Sequence, residues 1–168
     1  TALDALALSS ALKSRQLSCR EVMTAYLERI EQNNARFTAV VSMADRDSLM
    51  EQAALADRDL DQGHYRGWMH GFPLAIKDLA NARGFVTSQG SPLYATNVAQ
   101  KDDIHVARMK AAGGIVVGKT NVPEFGLGSQ SYNPVFGTTK CAWDGVSTAG
   151  GSSGGAAASL ALQMQPVA

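Results

Sequence analysis

Ser152 and Ser153 sit inside a run of glycines, Gly150-Gly151-Ser152-Ser153-Gly154-Gly155, which leads straight into Ala156-Ala157-Ala158-Ser159-Leu160. Serine hydroxyls become nucleophiles or proton carriers when a base lies within reach, and glycines ahead of a helix leave amides free for an anion. A flexible linker has the same composition, but this run is short and strong helix formers follow it. No lysine stands where a G-x-x-x-x-G-K-[ST] phosphate loop requires one, and the spacing is not that of a G-x-S-x-G elbow. A catalytic role, an anion-holding role and a plain turn stay open on these residues alone. The second candidate is Lys77, which ends the apolar stretch Pro73-Leu74-Ala75-Ile76 just before Asp78. It could snorkel to solvent or pair with Asp78; buried and neutral, it could take a proton from a serine.

The histidines argue against an imidazole-based hydrolase, which needs a ring beside its serine. His64 and His105 have polar neighbours and are expected on the surface. His70, seven residues before Lys77, is close enough in sequence to reach a site, but no second motif points to it. None of the three has metal-ligand spacing. Cys19 and Cys141 are far apart and read as free thiols.

The elements that must position these groups can be read from periodicity. Residues 3–15 predict an amphipathic helix that buries Leu3, Leu6, Leu8 and Leu12. Ser18 and Glu21 form a capping box for a second helix running to about residue 33, with Val22, Met23, Tyr26, Leu27 and Ile30 on one face. Residues 37–43 predict a strand and residues 45–62 a helix ended by Gly63. A short strand at 73–78 precedes a helix whose first turn is acidic through Asp102 and Asp103 and which Gly113 and Gly114 end. A buried strand starts at Ile115, a long loop fills residues 121–151, and a last helix begins near Ala156. Helices and strands alternate, so the fold class is α/β.

Composition excludes several functions. With 45% hydrophobic and 18% charged residues the chain is globular. Fifteen Lys and Arg balance fifteen Asp and Glu with no basic block, so neither nucleic acid nor an anionic membrane is an expected partner. No apolar run approaches the roughly 20 residues of a membrane span, and a cytoplasmic location is the default expectation.

Three blocks in register carry a more specific signal: His70-Gly71-Phe72-Pro73-Leu74-Ala75-Ile76-Lys77-Asp78, then Ala111-Ala112-Gly113-Gly114-Ile115-Val116-Val117-Gly118-Lys119-Thr120-Asn121-Val122-Pro123-Glu124-Phe125-Gly126, then residues 150–155. Together they resemble the amidase signature family over nearly the whole chain. The resemblance implies an amidase signature fold, a mixed β-sheet sandwiched between helices, of which this chain would be the N-terminal part only. Residues 1–63 would form a helical segment with one strand, and residues 64–168 the first part of the α/β core. It also implies a Ser-cisSer-Lys machinery, with Lys77 as general base and Ser152 as the relay after a cis peptide bond. Ser153 would have a supporting hydrogen-bond role, and Gly126, Gly128 and Ser129, with Ser153, would line the substrate side. No metal and no cofactor are implied.

Two departures from the family pattern stand out. Cys141-Ala142-Trp143-Asp144 replaces the usual Asn-Pro-Trp-Asp. The family's nucleophilic serine and oxyanion turn lie roughly two dozen residues past the relay, whereas 16 residues follow Ser152 here. The expectation is an amidase acting on a small-molecule amide, with the remainder of the polypeptide as necessary partner, a homodimer left open, and this stretch alone inactive. A glutaminase subunit of a tRNA-dependent amidotransferase is a narrower option. A truncated, non-catalytic amidase-like scaffold is the alternative from another class, although its strands would leave open edges and apolar surface.

Overall fold

Strand β3 (Ile115–Thr120) is buried at all six positions in the computed structural model, which describes residues 3–168. Such an element reads as a continuous apolar run because both its faces are covered. It is central in a three-stranded sheet of order β1-β3-β2. Strand β2 (Pro73–Lys77) pairs with it in parallel from Pro73 opposite Ile115 to Lys77 opposite Thr120, with an irregularity between Leu74 and Ala75. Strand β1 (Val40–Val41) pairs antiparallel on the other side. Parallel strands require a long crossover, and here it carries α4 (Ile104–Ala111). A separate hairpin of β4 (Tyr132–Asn133) and β5 (Gly137–Thr138) lies within the long 121–151 loop.

The remaining helices pack on this sheet. They are α1 (Ala5–Lys13), α2 (Cys19–Phe37), α3 (Arg46–Asp61) and α5 (Gly154–Ala161). Helix α2 lies against α3 and β2, α3 against β3, and α5 against all three strands. Leu12, Met23, Ile30, Leu49, Phe72, Leu74, Val117 and Met164 belong to one continuous apolar core. Among the described residues no helix is long and apolar enough to cross a membrane.

The capping box forms as the sequence predicts, with Ser18 Oγ and the Glu21 carboxylate each satisfying the other's amide. Three expectations are corrected. Leu8, Ala11 and Leu12 face the core from α1, but Leu6 is 75% exposed, because it falls on the opposite side of the helical wheel from Leu8. Leu3, ahead of the N-cap Asp4, is also exposed. The strand expected over residues 37–43 shrinks to Val40–Val41, because α2 runs on to Phe37. The Asn34 side chain accepts from the amides of Ala39 and Val40 and donates to Val40 O, so it satisfies backbone that a longer strand pairing would have used. Finally, Asp102 and Asp103 do not serve the first turn of α4: their carboxylates accept from the amides of Arg83 and Asn81, and Asp102 also pairs with Lys110.

Cys19 is buried and Cys141 partly so, and neither is in a disulfide. Burial, with Asp57 adding to it, pushes the Cys19 thiol up to about 12. Cys19 should therefore resist iodoacetamide in the native protein even near pH 9.0, its ordinary value, and react once unfolded; mass spectrometry before and after denaturation checks this.

One glycine fixes how the last helix docks. A Cβ on Gly155 would press on Asn121 N, and would lie 2.6 Å from Asn121 O and 2.8 Å from Ala39 O, all backbone atoms with no freedom to yield. Gly63, by contrast, has open space but a φ of +79°. Gly155→Ala should destabilise the protein by about 3 kcal/mol or more, and Gly63→Ala by about 1 kcal/mol through backbone strain alone. Urea denaturation midpoints separate the two.

Candidate active site

Lys77 closes β2, and its ammonium Nζ reaches the turn that opens α5. It donates to Ser152 Oγ at 2.9 Å and to Ser153 Oγ at 2.7 Å. The sheet makes this meeting across 75 residues: β2 and β3 end together at Lys77 and Thr120, and the residue after β3, Asn121, takes the Gly155 amide on its carbonyl at 3.2 Å. The Gly151–Ser152 peptide bond is cis. Ser153 occupies the N-cap position of α5 yet makes no cap bond; a serine there ordinarily accepts from the helix's own amides, and here its hydroxyl accepts from Lys77.

The helix start has few donors left for an anion. Gly154 N–H donates to Ser131 Oγ at 2.9 Å, Gly155 N–H to Asn121 O, and Ala157 N–H to Ser153 O at 3.0 Å. That pattern weighs against the anion-holding reading of the glycine run. Among the described residues no cluster of three or more His, Cys, Asp or Glu could hold a metal ion.

Asp78 does not pair with Lys77. It turns inward, fully buried, accepting from Ser88 Oγ at 2.5 Å and from the Ser88 amide at 3.2 Å, with Lys119 Nζ 3.3 Å away. Lys119 also donates to Ala80 O at 2.7 Å and Thr87 Oγ1 at 3.0 Å. Burial pushes the Lys119 ammonium below its ordinary range, and the attraction of Asp78 works against that. The consequence for Lys77 is chemical: no ion pair among the described residues involves it. A carboxylate partner favours the charged form of a lysine; Lys77 has hydroxyls instead, and a neutral amine there can exchange a proton with Ser152.

The remaining predicted residues separate. Gly128 and Ser129 line a cavity of about 500 Å³ together with Phe125, Gln130 and Tyr132. Lys77, Ser152 and Ser153 are outside its lining, although the Gln130 amide lies 3.2 Å from the Cβ position of Gly151. Gly126 packs on Leu79, where a Cβ would come within 2.6 Å of Leu79 Cδ1. His70 serves the fold. It is buried, stacks on Tyr65, pairs through Nε2 with Ala56 O at 2.9 Å and accepts from the Arg66 amide through Nδ1. The Cys141-Ala142-Trp143-Asp144 segment closes on itself: Gly145 N–H donates to Cys141 O, and Asp144 accepts from the amides of Val146 and Ser147.

Sequence reasoning missed Lys119 and Ser131. Lys119 had a signal, a lone charge in an otherwise apolar buried strand; Ser131 had none, being one polar residue in a polar loop.

With this geometry in view, the comparisons decide the family. A family model described as Amidase matches residues 21–168. The chain belongs to the amidase signature family. A glutamyl-tRNA(Gln) amidotransferase subunit from Aromatoleum aromaticum is 40% identical over 161 residues, covering 96% of this chain and 32% of that protein. A solved amidase superposes with a TM-score of 0.89 at 30% identity, covering 98% of this chain and 37% of that one. A bacterial aryl acylamidase of the amidase signature enzymes gives 0.84 at 32% identity, covering 94% and 33%. The chain thus spans about a third of the length of the curated relatives it matches.

Removing either partner of the buried Lys119–Asp78 pair strands a charge in the interior. Asp78→Asn and Lys119→Met should each destabilise the protein by about 3–5 kcal/mol, and the double variant should recover part of that. Denaturant titration of the three proteins is the check.

Proposed function

We propose that this chain carries the base and relay of an amide hydrolase, with Lys77 as general base and Ser152 as proton carrier. The observation behind this reading is the 2.9 Å contact between Lys77 Nζ and Ser152 Oγ at a lysine without a carboxylate partner. In the forward step a nucleophilic serine from the remainder of the polypeptide attacks the amide carbonyl. Its proton passes through Ser152 to neutral Lys77, then back through Ser152 to the leaving amine. Water releases the acid by the same route. Ser153 shares the lysine and steadies it at 2.7 Å. Backbone donors from the rest of the protein hold the oxyanion, and no cofactor takes part. Gly128 and Ser129 form one wall of the site for a small-molecule amide.

The surface fits a larger whole. Leu127, Trp143 and Val146 are each about four-fifths exposed or more, apolar area of the kind that a covering segment buries. On this reading the chain alone turns over no amide. A stable, monodisperse form of the isolated chain with its apolar surface covered would favour the scaffold reading instead.

In the full-length protein, Lys77→Ala and Ser152→Ala should each lower kcat/KM for an aryl amide by about 10²–10⁴-fold, and Ser153→Ala by about tenfold. Wild-type rates in Lys77→Ala would sink the proposal. A second reading, the glutaminase subunit of a tRNA-dependent amidotransferase, is favoured by relatives that are named as such subunits. Glutamine hydrolysis that rises only when partner subunits are added would select it over a free-standing amidase.

A further inference from the structure

We propose that Ser131 is a positioning residue that holds the relay serine against Lys77. It is fully buried and bonds to both ends of the turn that contains Ser152. Its N–H donates to the Gly150 carbonyl at 2.8 Å, and its Oγ accepts from the Gly154 N–H at 2.9 Å. Ser152 and Ser153 lie between those two anchors, so a single side chain and its own amide span the segment that meets Lys77.

Ser131 is itself held from behind. The Thr139 N–H donates to the Ser131 carbonyl at 2.9 Å, while the Thr139 hydroxyl donates to Thr38 O at 2.7 Å and accepts from Asn121 Nδ2 at 3.0 Å. Asn121 is the residue whose carbonyl receives Gly155. The turn is therefore bonded to the end of β3 directly through Gly155 and indirectly through Thr139 and Ser131. Contact is close as well: a Cβ at Gly154 would lie 2.5 Å from Ser131 Oγ, and one at Gly151 would lie 3.1 Å from it.

The rest of the turn is glycine, which resists backbone rotation least. Without Ser131 Oγ the Gly154 amide loses its acceptor and nothing fixes that end of the turn. A hydrogen bond weakens steeply with misalignment, so the Lys77–Ser152 contact depends on this anchor even though Ser131 touches neither Lys77 nor a reacting atom.

This inference rests on the reading of Lys77 and Ser152 as base and relay, and the experiment separates the two. Full-length wild type, Lys77→Ala, Ser131→Ala and Ser131→Thr are compared for kcat and KM on an aryl amide and for thermal midpoint. Ser131→Ala should lower kcat by about 10–100-fold, as expected for a misplacement of order 1 Å, with KM unchanged. Ser131→Thr keeps the hydroxyl acceptor and should restore most of kcat. A purely structural role would lower the thermal midpoint without separating kcat from KM. Wild-type kcat in Ser131→Ala, or a threonine variant as impaired as the alanine one, overturns the inference. Should the alanine variant not fold, the threonine variant decides: near-wild-type kcat supports the role and loss of kcat overturns it. Full activity in Lys77→Ala would sink the base-and-relay reading, whereas an inactive Lys77→Ala beside a fully active Ser131→Ala would sink only the role of Ser131.

Discussion

The close approach of α5 to the end of β3 is the contact on which the site depends. Gly155 lies against the backbone of Asn121 and Ala39 with no room for a side chain, and its amide bonds to Asn121 O. That contact fixes where the helix begins, and the helix start fixes where Ser152 and Ser153 point. Because β2 is in register with β3 up to Lys77 and Thr120, the same strand end also fixes the height of Lys77. Two groups distant in sequence thus share one reference point, and neither needs a long flexible segment to find the other.

Around that point, charges are sorted by burial. Of the adjacent residues Lys77 and Asp78, strand alternation sends one toward the Ser152 turn and the other into the interior. Asp78 needs compensation there, and Lys119, Ser88 and the backbone around Ala80 supply it. A buried pair of this kind adds little net stability, but it holds the 78–88 segment in one arrangement. Its effect at the site is indirect: with Asp78 engaged elsewhere, Lys77 faces hydroxyls. The polar network of Asn121, Asn133, Thr139 and Ser131 does comparable work for the long loop, whose few regular elements could not otherwise anchor it.

Much of this was legible in the sequence. The capping box, the helix at 46–61, β2 and the apolar core of β3 follow from local pattern and appear where expected. The family was legible from three blocks in order. What local pattern could not give were the places where tertiary partners compete with it. Residues 37–43 have strand composition, yet Asn34 draws the amides of Ala39 and Val40 to itself and the helix extends. Asp102 and Asp103 look like first-turn acids, but the amides of Asn81 and Arg83 offer better-placed donors. His70 looked close to Lys77 along the chain, while its ring is committed to α3.

The sequence by itself determined the residue types at the site, the helices and strands that carry them, and the family. Hydroxyls in a glycine run and a lysine at the end of an apolar strand are local facts, set by composition and period. Tertiary structure decided which of two adjacent charges would meet those hydroxyls and which would be buried, because that choice depends on the register of β2 against β3. It also decided the part played by Ser131. Its two bonds to the turn join residues that only the folded chain brings together, so no window of sequence contains both partners.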